Sequence, residues 1–326
     1  MVPSPTGVPG PGGCMGVIGV DVGGTKIAAA LLGPDYAIVQ SVRMPTPDGG
    51  TSVVDAVAQV VQSLAEGAAD PVTAVGVGLP ATIDAATGIV GASNHTGMDG
   101  LHARELLEER MPWPVAVDND GNLAALAEHR LGAARGHRDA VLLTIGTGIG
   151  GGLIVGGQLL RGGHGQGAEL GHVVVKGDGP PCQGNCPNHG CVETMCSGTS
   201  LARDLRAFAH ATPGSALAAL EAEGCLDSRT GLDLAREGDA DAVAIFQEAG
   251  RWLGVAVASF TNIFDPDVVV IGGGVSAAGE LLLGPARHEY QRRALPPTRR
   301  APLVAAQMGN DAGMVGAGIL AAEALA

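Results

Sequence analysis

The chain has 326 residues, enough for one large domain or two of ordinary size. Hydrophobic residues make up 46% of it and aromatic residues only 2%, so the core must consist mainly of Val, Ile, Leu and Ala. The formal charge is −14 and the only lysines are Lys26 and Lys176, which excludes a basic surface for nucleic acid or an anionic membrane. Glycines interrupt the longest apolar run, Val141 to Gly157, so we expect no membrane-spanning segment.

The start of the chain carries no visible secretory signal. Residues 1–14 are rich in proline and glycine and predict a disordered leader, with Met15 as an alternative start. We therefore expect a cytoplasmic protein, in a reducing compartment where structural disulfides are rare.

The first half alternates short apolar runs with glycine turns, a pattern typical of α/β structure. It predicts a strand at 17–22, a turn at Gly23-Gly24-Thr25 and a second strand at 27–32. Further along, the same reasoning predicts a helix from Thr51 to Glu66, strands at 74–79 and 115–117, and a helix from Leu123 to Leu131.

The second half begins with the same layout. Strands at 140–145 and 152–155 flank the turn Gly146–Gly151, a helical region covers 199–240, and a long helix runs from Asp241 to Phe264. A buried strand at 267–271 then leads into Gly272-Gly273-Gly274, and a final helix covers 312–325. This repeat predicts two related α/β halves, with a boundary near residue 118.

One histidine and three cysteines fall within twenty residues: His172, Cys182, Cys186 and Cys191. This is the ligand count that a tetrahedral Zn²⁺ takes in a closed structural site. The segment has almost no other apolar residues, which disfavours a core role for the cysteines. A disulfide or redox pair and an incidental cluster are the alternatives. His189 is a spare candidate ligand.

The surroundings of the cluster are also informative. Glu169 and Glu193 flank it, so a metal site bracketed by acids predicts a scaffold for a small-molecule site. Cys14, Cys196 and Cys225 lie outside the spacing, and we expect them to be free thiols.

Three glycine-rich turns each follow a strand, and main-chain N–H groups in such turns can bind phosphate. The first adds a hydroxyl, a cation and a carboxylate able to hold Mg²⁺ through water, and the second adds a hydroxyl. A simple hairpin turn is the alternative for each. There is no Walker motif, and a strand rather than a helix follows the Gly-x-Gly-x-x-Gly run of the second turn. The predicted nucleotide-binding residues are Asp21, Gly23, Gly24, Thr25, Lys26, Gly146, Thr147, Gly148, Gly273 and Gly274.

Polar residues between a strand end and a helix start form the run Asp118-Asn119-Asp120. A helix N-cap explains one of them but does not need all three. An acid in this position near a phosphate donor is suited to act as a general base. Asn94 is a further polar candidate, with a turn residue as its alternative.

The chain resembles the ROK family of bacterial sugar kinases and repressors from about Val17 to the C-terminus. The matching motifs, in order, are Asp21–Lys26, Asn119–Asn122, Gly146–Gly151, Glu169–His172, Gly190–Glu193, Asp265–Gly274 and Gly309–Gly313. The resemblance implies an actin-like, ribonuclease-H-type pair of α/β domains with a cleft that closes over ATP-Mg²⁺ and a sugar. The expected domains are a small one at 15–118, joined by the last helix (310–326), and a large one at 119–309 with the zinc site.

The resemblance also implies an activity and roles for single residues. The expected reaction is transfer of the ATP γ-phosphate to the 6-hydroxyl of a hexose, with glucose as the first choice and Asp120 as the base. Asn94, Asn119, Asp120, Glu169, His172 and Glu193 would bind the sugar, with His172 using its other ring nitrogen on zinc. The family further implies a homodimer or homotetramer.

The cysteine spacing departs from the family. Its commonest motif has Cys-x-Cys before Gly-x-x-Gly-Cys, whereas Cys182 and Cys186 are four apart here and Pro187 replaces a glycine. The intervals from His172 to Cys182 and from Cys186 to Cys191 are those of the family, so the resemblance still implies zinc in a wider loop.

Several alternatives remain at the level of the sequence. Met98 stands where many family glucokinases carry a tryptophan, which leaves fructose, mannose, N-acetylglucosamine, N-acetylmannosamine and other amino sugars open. A ROK transcriptional regulator is a different class, disfavoured by the short leader and the acidic charge. A catalytically silent sugar-binding or assembly protein is disfavoured by Asp120 and the intact phosphate turns.

Overall fold

The computed structural model of the protein describes residues 16–93 and 97–325, so the predicted leader and Asn94 lie outside the described residues. The chain forms two compact units. The first extends to Leu123 and takes up the chain again at Gly313, and the second comprises Ala124–Ala312. The predicted boundaries, after residues 118 and 309, lie close to these divisions.

The first unit is built on a five-stranded sheet of order β3-β2-β1-β4-β7. The strands β1, β2 and β3 pair antiparallel, and β4 and β7 join parallel. Its elements are β1 (Gly16–Val22), β2 (Lys26–Leu32), β3 (Ile38–Pro45), α1 (Gly50–Glu66), β4 (Val72–Leu79), β5 (Ala81–Asp84), β6 (Ile89–Ser93), α2 (Ala103–Glu108), β7 (Val115–Asn119), the start of α3 (Asp120–Arg130) and most of α10 (Ala312–Ala324).

The helix α10 packs directly on the sheet of the first unit because glycines remove the side chains between the two backbones. A β-carbon at Gly19 on β1 would lie 1.8 Å from the carbonyl oxygen of Met314, and one at Gly76 on β4 would lie 1.8 Å from that of Ala317. A β-carbon at Gly316 would likewise lie 1.9 Å from the oxygen of Leu123. The helix α10 is therefore an integral part of the unit that contains β1.

The second unit repeats the sheet, with order β10-β9-β8-β11-β12. The strands β8, β9 and β10 pair antiparallel, and β11 and β12 join parallel. Its elements are β8 (Ala140–Ile145), β9 (Ile149–Val155), β10 (Gln158–Leu159), α4 (Val192–Cys196), α5 (Gly198–Ala211), α6 (Ala216–Ala222), α7 (Ser228–Glu237), α8 (Ala240–Phe264), β11 (Val268–Gly272), α9 (Glu280–Arg293) and β12 (Leu303–Ala305).

The two sheets share one strand order and one set of strand directions, so the predicted duplicated, actin-like α/β fold is confirmed. The second unit differs by what is inserted between β10 and β11. A long irregular segment carries the predicted metal ligands, and the helices α4 to α8 follow it. Within residues 16–93 and 97–325, none of the helices has the length and apolar character needed to span a bilayer.

Candidate active site and metal centre

The four predicted metal ligands come together in the second unit. One ligand atom from each of His172, Cys182, Cys186 and Cys191 lies within 4.8 Å of all the others. His172 ends a short 3₁₀ turn (Leu170–His172), and Cys191 immediately precedes α4. We call residues 172–191 the metal knot.

The distances within the metal knot fit a tetrahedral zinc. The Sγ of Cys182 lies 3.4 Å from Nδ1 of His172, and the Sγ atoms of Cys186 and Cys191 lie 3.9 Å apart. Ligands at ordinary Zn–S and Zn–N bond lengths occupy corners about 3.6 to 3.8 Å apart. A sulfur separation of 3.9 Å also excludes a disulfide between Cys186 and Cys191. The predicted zinc set therefore fits, with Nδ1 as the ligating nitrogen of His172.

His189, Cys196 and Cys225 are not part of this cluster, and Cys14 lies outside the described residues. His189, the spare candidate, is exposed and its Nδ1 contacts the carbonyl oxygen of Gly179. Cys196 is fully buried and donates to the carbonyl oxygen of Val192, and Cys225 is exposed. Both are free thiols, as predicted.

The first glycine turn (Gly23–Thr25, hereafter the first turn) joins β1 to β2. The N–H of Gly23 donates to the carbonyl oxygen of Lys26 at 2.8 Å. Thr46, just after β3, donates its hydroxyl to the oxygen of Gly23 at 2.7 Å and its N–H to that of Thr25 at 3.1 Å. Gly24, Thr25 and Lys26 are exposed, so their polar groups can reach a ligand.

Asp21, near the end of β1, is held against the start of α10. A β-carbon at Gly313 would lie 2.5 Å from its Cγ, so the helix covers the carboxyl closely. This burial raises the pKa of Asp21 from 3.8 to about 6, against the opposing effect of the Lys26 ammonium. A carboxylate that the protein itself solvates poorly suits a cation site, because a bound cation favours its charged form.

The second glycine turn (Gly146–Gly148, hereafter the second turn) joins β8 to β9 and is tied to the start of α5. The carbonyl oxygen of Gly146 accepts from the N–H of Gly198 at 2.8 Å. The oxygen of Thr147 accepts from both the N–H and the hydroxyl of Thr199, at 3.3 and 2.8 Å. The N–H of Gly146 donates within the turn, to the carbonyl oxygen of Gly148 at 2.9 Å. The bonds to Gly198 and Thr199 use carbonyl oxygens, so they do not occupy the amides of Thr147 and Gly148.

Glu193 joins the second turn to the metal knot. Its side chain is 9% exposed, and its Oε2 accepts from the N–H of Ile149 at 2.7 Å. A β-carbon at Gly148 would lie 2.3 Å from the same oxygen, so glycine is required there for the carboxylate to fit. The other flanking acid, Glu169, is exposed; partial desolvation raises the pKa of its carboxyl, His172 lowers it and Glu193 raises it. The carboxyl groups of Glu169 and Glu193 are therefore close enough to interact electrostatically beside the metal knot.

The third glycine turn follows β11. Gly273 has a φ of +83°, which favours glycine, and a β-carbon there would lie 2.4 Å from the carbonyl oxygen of Ile145 at the end of β8. Ser276 donates both its N–H and its hydroxyl to the oxygen of Gly273. The third turn thus lies beside the strand that leads into the second turn.

The polar run after β7 divides into structural and accessible members. Asp118 is fully buried, and its Oδ1 accepts from the N–H of Asn119 and from Nδ2 of Asn122. The Oδ1 of Asn119 caps α3 by accepting from the N–H of Asn122, while its Nδ2 donates to the carbonyl oxygen of Ala81. Asp120 is half-buried at the first position of α3, where the helix N-terminus favours an anionic side chain.

Met98 lies in the core of the first unit. Its side chain is 1% exposed and belongs to the core with α1. The segment around it is held by Ser93, whose hydroxyl and N–H both donate to the carboxylate of Asp99. A difference at Met98 is therefore first a difference in core packing.

Each of the two units has a five-stranded sheet of the same topology and a glycine turn, and Asp120 lies at the start of a helix. Together these features define the class of protein, an actin-like phosphotransferase. The ROK family model matches residues 17–324, and the chain belongs to that family. The predicted family membership is confirmed.

Known relatives refine this assignment. The glucokinase of Streptomyces coelicolor is 38% identical over 312 residues, covering 94% of this chain and 97% of that protein. The N-acetylmannosamine kinase of Citrobacter koseri is 34% identical over 310 residues, covering 94% and 99%. A ROK family glucokinase from Streptomyces griseus, solved in complex with glucose and AMPPNP, is 38% identical with a TM-score of 0.84, covering 94% of this chain and 99% of that one.

Proposed function

We propose that the protein is an ATP-dependent glucokinase that transfers the γ-phosphate of ATP to the 6-hydroxyl of glucose. The observation that carries the proposal is the likeness, along nearly the whole of both chains, to a glucokinase solved with glucose and AMPPNP. The glucokinase of S. coelicolor supports it at the same identity. The predicted sugar kinase activity, with glucose as first choice, is borne out by these relatives.

In the proposed reaction Asp120 is the general base. Its carboxylate accepts the proton of the 6-hydroxyl while the hydroxyl oxygen attacks the γ-phosphorus and the bond to the ADP oxygen breaks. The Oδ1 of Asp120 accepts from the N–H of Gly121 at 2.8 Å, which fixes the orientation of the carboxylate. Since most of the catalysis of phosphoryl transfer is positioning and electrostatics, a carboxylate oriented in this way is what the step needs.

The sugar would be recognised by the remaining polar residues: Asn94, Asn119, Glu169, His172 and Glu193. Asn119 is already oriented by its bonds to Asn122 and Ala81, so it can offer a second amide hydrogen without losing them. His172 would bind the sugar through Nε2, because Nδ1 faces the cysteines. A bound zinc would fix the tautomer of His172, with Cys182, Cys186 and Cys191 as the other ligands.

The glycine turns predicted from the sequence are the residues that we propose for binding the phosphates of ATP. In the first unit this involves Asp21, Gly23, Gly24, Thr25 and Lys26, and in the second Gly146, Thr147, Gly148, Gly273 and Gly274. Mg²⁺, when bound to ATP, neutralises charge on the phosphates, and Asp21 would hold it through water. Lys26 adds a cation next to Asp21.

A panel of hexoses in an ATP-coupled assay tests the substrate. We expect glucose to give the highest kcat/KM and N-acetylmannosamine a much lower value, although a kinase for that sugar is among the relatives. A higher kcat/KM for an amino sugar or fructose would replace glucose as the substrate and keep the kinase. No turnover with any sugar would contradict the kinase itself. The predicted dimer or tetramer can be measured on the same sample by light scattering.

Asp120→Asn tests the base directly. Because Asn keeps the shape but cannot accept the proton, we expect kcat to fall by about 10³-fold or more, with zinc content and AMPPNP affinity unchanged. Asp70→Asn makes the same change at an exposed aspartate of the same unit and should leave kcat unaltered. Near-normal turnover by Asp120→Asn would remove Asp120 from the chemical step.

A further inference from the structure

The segment that follows the last cysteine of the metal knot turns directly into the support of the second turn. Over residues 193–199 it gives the turn three successive connections: the carboxylate of Glu193, the N–H of Gly198, and both the N–H and the hydroxyl of Thr199. The segment before the knot contacts the strand that leaves the turn. A β-carbon at Gly171 would lie 2.1 Å from the carbonyl oxygen of Ile149.

Among these connections Glu193 is special in its chemistry. Its carboxylate accepts from a main-chain N–H in a nearly solvent-free position, and such charge-assisted bonds are stronger than neutral ones. The acceptor is an anion beside a turn that would bind another anion, so on electrostatics alone it should weaken phosphate binding. The benefit of holding the second turn in place must therefore exceed this electrostatic cost if Glu193 is to favour phosphate binding.

We propose that Glu193 is a positioning residue for the nucleotide, fixing the second turn to the metal knot through the N–H of Ile149. The proposal rests on the function proposed above and adds to the role that the family resemblance implies for this residue at the sugar. One carboxylate oxygen, Oε2, holds the turn, while Oε1 faces away from Gly148, 3.8 Å from where a β-carbon would lie. The Glu193 side chain thus links the segment that follows the metal knot to the second turn, and it is also one of the acids proposed to bind the sugar.

The consequence is that Glu193 matters to the nucleotide even when no sugar is present. Glu193→Asp keeps the charge but shortens the side chain by one methylene, so it cannot reach the N–H of Ile149. We expect the affinity for Mg²⁺-AMPPNP, measured by calorimetry on sugar-free and zinc-loaded protein, to fall about five- to tenfold. Glu193→Gln keeps the reach with a neutral acceptor, so its affinity should lie between those of the wild type and the Asp variant.

Glu169→Asp is the matched control. It makes the same change in the other acid that flanks the metal knot, and among the residues that the structure describes no hydrogen bond joins the Glu169 side chain to the second turn. It should weaken glucose binding and leave the sugar-free affinity for Mg²⁺-AMPPNP as in the wild type. Zinc content and the thermal midpoint, measured on every variant, separate loss of positioning from loss of the fold.

Two outcomes would overturn the proposal. One is an unchanged sugar-free nucleotide affinity in Glu193→Asp and Glu193→Gln with weakened glucose binding, which would make Glu193 a sugar ligand alone. The other is an equal loss of nucleotide affinity in Glu169→Asp, which would indicate a general effect of disturbing the metal knot. A wild type whose affinity for Mg²⁺-AMPPNP is lowered by the Glu193 substitutions but which does not phosphorylate glucose would refute the proposed function and leave this inference standing.

Discussion

The two glycine turns occupy the same place in two sheets of one topology, yet they are supported differently. The first turn is held by Thr46, which directly follows the edge strand β3, and the last residues of the turn are exposed. The second turn is held by Gly198, Thr199 and Glu193, all from the segment that follows the metal knot. The two units thus share the strands and the turn, while the segment between β10 and β11 gives the second turn an additional support.

Zinc removal should separate the two turns most strongly. In Cys186→Ser we expect loss of the metal and, because the support of the second turn begins at the knot, hydrogen exchange at 146–151 faster by about tenfold or more. Exchange at 22–27 should not change. Cys225→Ser, an exposed cysteine outside the cluster, is the control and should keep both zinc and exchange rates. Equal acceleration at both turns would argue against a local support.

Asp21→Asn should distinguish the first turn by its dependence on pH. Well below pH 3.8 the carboxyl is protonated in both the folded and unfolded states, so it adds no pH dependence there. As the pH rises from 4 to 6 the unfolded chain ionises first, so the wild type loses stability, by at most about 3 kcal/mol, and levels off above pH 6. The variant should lack this decline and be the more stable protein at pH 7.5 without ligand.

Urea unfolding of both proteins at pH 4 and pH 7.5 measures the difference. If the urea midpoints of the wild type and the variant changed equally between pH 4 and pH 7.5, the ionisation of Asp21 would carry no cost in the folded protein. Binding of Mg²⁺-AMPPNP should be weaker in the variant at the same pH, so stability and affinity move in opposite directions.

Thr46→Val and Thr199→Val form the smallest and most direct comparison. Each removes one hydroxyl bond to a turn carbonyl, at 2.7 Å in the first turn and 2.8 Å in the second, worth about 1 kcal/mol. Because the second turn retains Gly198 and Glu193, we expect the KM for ATP to rise about threefold in Thr46→Val and to change little in Thr199→Val. The opposite order would contradict the difference in support described here.

The features that could be predicted are those that depend on residues close together in the chain. The glycine turns between apolar runs predicted the paired hairpins, and the spacing of His172 and the three cysteines predicted their convergence. The helix α9 was missed because Pro285 and an irregular apolar pattern obscure it, and β12 because it has only three residues.

The support of the turns could not be predicted for a physical reason. Thr46 is 23 residues from Gly23, and Glu193 is 44 residues from Ile149, and each bond involves a backbone atom that every residue carries. No residue type at the receiving end marks such a contact. Met98 illustrates the same limit, since its place in the family motif left the choice of sugar open but did not reveal that its side chain is buried in the core.

The close approach of α10 to the sheet has a consequence for the order of synthesis. During translation, β1 and β4 leave the ribosome long before residues 313–324 exist, so the strip around Gly19 and Gly76 has no helix to cover it. The second unit is complete in sequence before the first one is. The first unit, whose strands are synthesised first, can therefore complete its fold only after the whole second unit has been synthesised.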